Sequence, residues 1–272
     1  MLLNGKNAVL YGVGDSLGGE VARAFSGAGA RVFLSARRRA KAQAVADEIV
    51  KSGGRCEVAE VDALDQQAID SHLAAVREAT GSVDISFNLI NIQDRQGQPL
   101  TAMSLDDFVR PVEIAMRTQF LTCTAAARVM LVQGSGVILT LTATPGGIGY
   151  ANVGGFGPAC CAIESFSRNL AAELGPAGVR VVNLRSAGSP DSRPFREAIE
   201  QGGSDAAAFV DKIQNDTMSK RLPRMRDIAD AAVFLASPLA AAITGVTVDA
   251  TAGTTAALNY RVPKIAFVDS SR

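Results

Sequence analysis

The sequence predicts an α/β protein built on a doubly wound parallel sheet, and three observations carry that prediction. Short apolar runs alternate with longer helical patterns along the chain, the runs are apolar throughout, and a glycine-rich turn joins the first run to the first helical pattern. Parallel neighbours need a crossover, usually a helix, so the alternation reads as repeated β-α-β units. Unbroken apolar strands belong to sheets covered on both faces. With 272 residues, one such domain over residues 1–272 has ample material for a core.

Taken in order, the expected strands are Ala8 to Tyr11, Arg31 to Ser35, Cys56 to Val61, Val83 to Asn88, Val137 to Thr142, Val179 to Leu184 and Thr247 to Asp249. Leu17, Val21 and Phe25 recur at four-residue spacing to give the first helix an apolar stripe, and Gly27 and Gly29 end it. A helix is expected to begin near Asp65, and its polar stretch from Gln66 to Thr80 carries His72, expected at the surface. Asp191 to Met218 is expected to form a mobile helical segment covering the substrate, and it holds no readable motif.

Composition excludes several function classes. The 27 Lys plus Arg balance 27 Asp plus Glu, so the long-range field that draws proteins to nucleic acid or anionic lipid is missing. No apolar run approaches the roughly 18 residues of a membrane span, and the start, Met1-Leu2-Leu3-Asn4-Gly5-Lys6, is not ordered like a signal peptide, so a soluble cytoplasmic protein is expected. The cysteines Cys56, Cys123, Cys160 and Cys161 show no C-x-x-C spacing, and with a single histidine no metal site is expected. They read as reduced core thiols.

The turn is Tyr11-Gly12-Val13-Gly14-Asp15-Ser16-Leu17-Gly18-Gly19, set between strand and helix. Glycines there let backbone approach a pyrophosphate, and the free N–H groups and positive end of the helix attract it. From Gly5 to Gly253 the chain resembles the short-chain dehydrogenase/reductase family, a Rossmann-type fold whose turn reads T-G-x-x-x-G-x-G. Gly12 and Gly18 match its outer glycines, Ser16 replaces the middle one, Tyr11 replaces the threonine, and Asp15 is unwelcome beside a pyrophosphate. The resemblance implies cofactor contacts from Gly12, Ser16, Leu17, Gly18, Asp62, Ala63 and Asn88, Asp62 to the adenine. It also implies a small-molecule substrate and a homotetramer, and it makes residues 254–272 an extra C-terminal tail. Ala36 stands where NAD-preferring members carry an acid, and Arg37 and Arg38 attract a 2′-phosphate, so NADP(H) is favoured over NAD(H). The family's N-N-A-G after the fourth strand reads Asn88-Leu89-Ile90-Asn91.

In the family a serine, a tyrosine thirteen residues later, a lysine four beyond and a helical asparagine run the chemistry; the tyrosine moves the proton, and the lysine lowers its pKa. The strand ending at Thr142 places Ala143 in the serine position, which makes Phe156 and Cys160 the tyrosine and lysine positions; Phe120-Leu121 places Ala115 in the asparagine position. No slipped register rescues the set, because no lysine lies between Lys51 and Lys212 and no tyrosine between Tyr150 and Tyr260. Thr142 and Tyr150 are the nearest polar substitutes. General acid-base help contributes on the order of 100- to 10,000-fold, so ordinary carbonyl reduction is not expected.

Three readings follow. An NADP-dependent oxidoreductase of non-standard mechanism, acting on an activated double bond or a self-acidic group, needs only alignment of donor and acceptor. A non-redox enzyme such as a cyclase, isomerase or lyase would use the pocket for its shape. A noncatalytic nucleotide-binding or regulatory protein would account for the apolar replacement of the whole set.

Overall fold

The computed structural model describes residues 1–257; of the expected tail, residues 258–272 lie outside them. The chain runs β1 (Asn7–Tyr11), α1 (Leu17–Gly27), β2 (Arg31–Ala36), α2 (Arg39–Lys51), β3 (Arg55–Glu60), α3 (Gln66–Thr80), β4 (Ile85–Asn88), α4 (Leu105–Gln133), β5 (Gly136–Ala143), α5 (Phe156–Leu174), β6 (Val179–Ser186), α6 (Arg193–Asp216), α7 (Met225–Ala236), β7 (Thr247–Asp249) and α8 (Thr254–Ala257). Every strand pairing is parallel, in the order β3-β2-β1-β4-β5-β6-β7. The strand order therefore reverses between β1 and β4.

Both faces are covered, as unbroken apolar strands require. Leu10, Leu34, Leu139 and Leu184 point to one face, where Phe25 of α1, Val45 of α2 and Ile228 of α7 pack on them. Val9, Phe33, Ile138 and Val181 point to the other, against Leu73 of α3, Met130 of α4 and Leu170 of α5. Adjacent strand residues thus feed opposite cores, which follows from the two-residue period of a strand. Burying a leucine or phenylalanine fully is worth about 1.5–3 kcal/mol, so these two layers fix the sheet that carries the site.

Two local expectations are corrected. β3 is not a continuous buried run: its residues alternate between exposed and half-buried, because it is an edge strand with one open flank. The helix expected between Asp191 and Met218 is present as α6, interrupted at Gly203, whose backbone turns to φ 54° and ψ −132°. His72 is half-buried, not on the open surface. It lies three residues after Ile69 and four before Val76 on the flank of the buried stripe of α3, and its Nε2 is shielded without a hydrogen-bond partner. The helix expected to begin near Asp65 does so, with Asp65 as its cap, accepting from the Ala68 N–H at 3.1 Å.

Burial lowers the pKa of His72 below its ordinary 6.5, a shift partly offset by Glu57. The unfolded chain therefore takes up a proton at higher pH than the folded one, and stability supplied by neutral His72 is present above pH 6.5 and is lost as pH falls below it. Denaturant unfolding should show stability rising from pH 5 to 6.5 in the wild type, and the slope should flatten in His72→Gln. An unchanged slope would contradict the assigned burial.

Candidate active site

The site begins where the carboxyl end of β1 meets that of β4, the crevice in which doubly wound sheets bind ligands. Gly12 has φ +77°, and a Cβ on it would lie 2.8 Å from the Cα of Ile90, so no other residue fits this approach. The Gly12 and Val13 amides donate to the Ser35 carbonyl at 2.9 and 3.3 Å, tying the turn to β2. A Cβ on Gly19 would lie 2.5 Å from the Gly14 carbonyl oxygen, which keeps α1 close under the turn. Ser16 is the residue before α1, but its side chain does not cap the helix; its hydroxyl donates to the Met225 Sδ at 3.5 Å. The first-turn amides of Leu17 and Gly18 have no acceptor within their own helix and are free to meet an anion.

Above the turn lies a cleft of about 520 Å³. Gly12, Ser16, Leu17, Gly18, Arg37, Arg38, Asp62, Ala63 and Asn88 all line it, so the structure brings together every residue the sequence singled out for a cofactor. Their local roles differ. Among the described residues Arg37 and Arg38 are exposed and make no ion pair. Asp62 is exposed, and its carboxylate accepts the Leu64 N–H at 3.0 Å while leaving lone pairs open. Asn88 is committed within the protein: its amide donates to Thr122 Oγ1 at 3.0 Å, and its carbonyl oxygen accepts the Ile90 N–H at 3.0 Å. It braces the end of β4 against α4. Asn91 turns its side chain back to accept the Gln93 N–H at 2.7 Å.

The far end of the cleft is formed by Ala143 at the end of β5 and by Phe156, Cys160 and Ile163 along the first turns of α5. Ala115 of α4 is completely buried behind them, in a cluster with Ile92, Ala159 and Ile163. The four sequence-assigned positions are therefore neighbours in space, and carbon and sulfur occupy them. Burial pushes the Cys160 thiol up to about 12, so it is a thiol rather than a thiolate near neutral pH. Tyr150 does not line the cleft; burial raises its pKa, and the charges of Asp216 and Lys212 that act on it belong to α6. Tyr11 packs its ring in the core between sheet and α3–α4, with a shielded hydroxyl that has no partner.

Thr142 faces a different chemistry. Its hydroxyl donates to Glu164 Oε1 at 2.9 Å and accepts from Asn183 Nδ2 at 2.8 Å, so its one hydrogen is committed and it has no proton to give a substrate. Glu164, only 6% exposed, takes a forked pair of bonds from Arg185, Nε to Oε1 at 3.0 Å and Nη2 to Oε2 at 2.7 Å. Arg185 also reaches Asp249 at 3.2 Å. Sequence reading missed this network because its members are 21 and 64 residues apart. It also missed Lys41 and Arg193 in the cleft wall. Lys41, three residues beyond Arg38 in the first turn of α2, was recoverable from helical spacing; Arg193 carried no such signal.

The fold and cleft define a dinucleotide-type α/β protein, and comparison with known proteins sharpens this. A family profile described as enoyl-(acyl carrier protein) reductase matches residues 12–255. The chain is 30% identical over 243 residues to the 7alpha-hydroxysteroid dehydrogenase of Escherichia coli K12, covering 89% of this chain and 91% of that protein. It is 28% identical over 249 residues to enoyl-acyl-carrier-protein reductase (NADH) 1 of Rhizobium meliloti, covering 90% and 88%. A gluconate 5-dehydrogenase from Burkholderia cenocepacia, solved in complex with NADP and tartrate, superposes with a TM-score of 0.84 at 24% identity, covering 93% of this chain and 96% of that one. The chain belongs to the short-chain dehydrogenase/reductase family of oxidoreductases.

Two outcomes are expected. Glu164→Ala leaves a largely buried guanidinium without its main partner and should cost about 3 kcal/mol in denaturant unfolding, with Glu164→Gln costing less; losses below about 1 kcal/mol for both would show that solvent screens the pair. Alkylation with iodoacetamide at pH 8 should label exposed Cys161 first and Cys160, Cys123 and Cys56, whose thiols burial pushes up to about 12, much later. Fast labelling that persists in Cys161→Ser would contradict this order.

Proposed function

We propose that the protein is an NADP(H)-dependent oxidoreductase that reduces a small organic substrate with an activated double bond, or one whose own acidity supplies the proton, and that it holds the reactants in register without a side-chain proton donor. The observation that carries this reading is the two-part cleft: a glycine turn, orphan helix amides and basic residues at one end, and Ala143, Phe156, Cys160 and Ile163 at the other. The residues fit the adenosine and phosphate half of a dinucleotide. Free guanidinium groups at Arg37 and Arg38, beside Ala36, favour a 2′-phosphate over a bare ribose hydroxyl. At the nicotinamide end no lysine ammonium or tyrosine hydroxyl among the described residues is placed to grip the ribose, so shape and apolar contact with Phe156 and Ile163 supply orientation.

A nicotinamide nucleotide, when bound, supplies hydride. What the chain supplies is a dry wall: Ile92, Phe156 and Ile163 exclude water from the reacting region, and Ala143 leaves room for a substrate where a serine would otherwise direct a carbonyl. An enoyl or enone group suits such a wall, because its conjugated carbonyl accepts charge while solvent delivers the proton. Enoyl reduction named for the matching family profile and for the Rhizobium relative supports that substrate class. The relative is named for NADH, whereas the basic turn after β2 favours NADP(H) here. A homo-oligomer, in family terms a tetramer, is supported by the apolar surface of α4, where Phe120 and Val132 are 57% and 77% exposed. The apolar replacement of the whole catalytic set also favours a second reading, a non-redox enzyme or a nucleotide-sensing regulator.

Titration with NADPH and NADH tests the proposal. NADPH should bind more tightly, and Arg37→Ala with Arg38→Ala should remove most of that preference, each charge-assisted phosphate bond being worth about 1.5–3 kcal/mol. NADPH oxidation should appear with enones and enoyl thioesters and stay absent with simple ketones. Tight NADPH binding without oxidation across the panel would favour the second reading, and equal affinity for both nucleotides would overturn the cofactor assignment.

A further inference from the structure

The acid in the glycine turn has two cationic partners, and they come from two different elements. Asp15 Oδ1 lies 3.3 Å from Arg193 Nη1, at the first residue of α6, and 4.0 Å from Lys41 Nζ, in the first turn of α2. All three side chains line the cleft above the turn. A lone carboxylate at an anion seat repels phosphate; a carboxylate gripped by two cations does not, and it marks the place where two positive charges converge. Arg193 is moreover incompletely satisfied: its Nε is shielded from solvent without a hydrogen-bond acceptor, and the nearest carboxylate oxygen, on Glu197, is 3.6 Å away. A second strand of contacts runs alongside, from the Ser16 hydroxyl to Met225 and from the Met225 N–H to the Asp191 carboxylate at 3.1 Å. The junctions before α6 and α7 are therefore seated against the turn next to Arg193.

We propose that Asp15 is an internal stand-in for a nucleotide diphosphate: with the seat empty it holds Arg193 and Lys41 in place, and an arriving diphosphate takes both cations from it and so fastens α6 over the cleft. The inference deepens the proposed function and rests on it. Three properties follow from the charges. Arg193 is a binding residue for the diphosphate, Asp15 competes with the ligand for it, and the gain from removing Asp15 depends on Arg193 being present. A 2′-monophosphate does not feel the competition in the same way, because its phosphate is assigned by the proposed function to the end of β2 beside Arg37 and Arg38.

The test compares the full-length wild type with Asp15→Asn, Arg193→Gln and the double variant, using NADPH, ADP-ribose and adenosine 2′-monophosphate as probes. Asp15→Asn should bind NADPH and ADP-ribose about three- to tenfold more tightly, the size expected for freeing partly exposed ion pairs. It should change 2′-monophosphate binding by less than about twofold, the distance to that site leaving only a screened interaction. Arg193→Gln should weaken both diphosphates about tenfold and lower the salt dependence of binding, and the double variant should lose the gain. Without any nucleotide, Asp15→Asn should speed hydrogen exchange at the Arg196 amide, which donates to the Ser192 carbonyl in the first turn of α6. If the wild type binds NADPH and Asp15→Asn binds it no more tightly, the stand-in is wrong and the proposed function survives. If no form binds any of the three probes, both fail.

Discussion

The approach of the end of β1 to the end of β4 governs the rest of this molecule. Gly12 permits it, since a Cβ there would stand 2.8 Å from the backbone of Ile90. That contact sets where the chain turns into α1, and the turn decides where the orphan amides of Leu17 and Gly18 point. It also lies at the reversal of strand order, so the opening it creates faces the carboxyl ends of β5 and the start of α5. Cofactor seat and reacting region are thus parts of one geometric consequence.

Polar chemistry has shifted away from the reacting region. At its surface stand Ala143, Phe156 and Cys160, whereas Thr142 beside them is tied into a network with Glu164, Arg185 and Asn183 that runs out to exposed Asp249. Such a network holds α5 to the ends of β5 and β6 and keeps Phe156 and Cys160 at fixed places, but it presents no proton to the cleft. A buried ionic cluster of this kind is weak evidence for added stability, since desolvation offsets much of the attraction; its stronger effect is to fix which arrangement of α5 and β6 is allowed.

Much of this was legible in the sequence. Strand and helix periodicity locate all seven described strands, and the resemblance to the short-chain dehydrogenase/reductase family, through the spacing of its catalytic set, points to Ala143, Phe156 and Cys160, which the structure brings to one wall of the cleft. Features that depend on meetings between distant segments were not readable: Asp15 with Arg193, Glu164 with Arg185, Tyr150 against α6. His72 shows the limit within a single helix, for a residue on the flank of an apolar stripe is exposed or shielded according to how the neighbouring edge strand packs. Asn88 shows it for a motif, since matching the residue did not reveal that its side chain is spent on Thr122 and Ile90.

The central claim is that a nucleotide seat is retained beside a wall that cannot hand over a proton. The most direct measurement is an experimental structure of the protein crystallised with NADPH. The account predicts the adenosine and phosphates along Arg37, Asp62 and the glycine turn, with the nicotinamide C4 facing Ala143, Phe156 and the protonated Cys160 thiol, and no tyrosine hydroxyl or lysine ammonium within hydrogen-bonding reach of a substrate placed there. A tyrosine or lysine from the residues past Ala257, or from another subunit, standing over that carbon would contradict it.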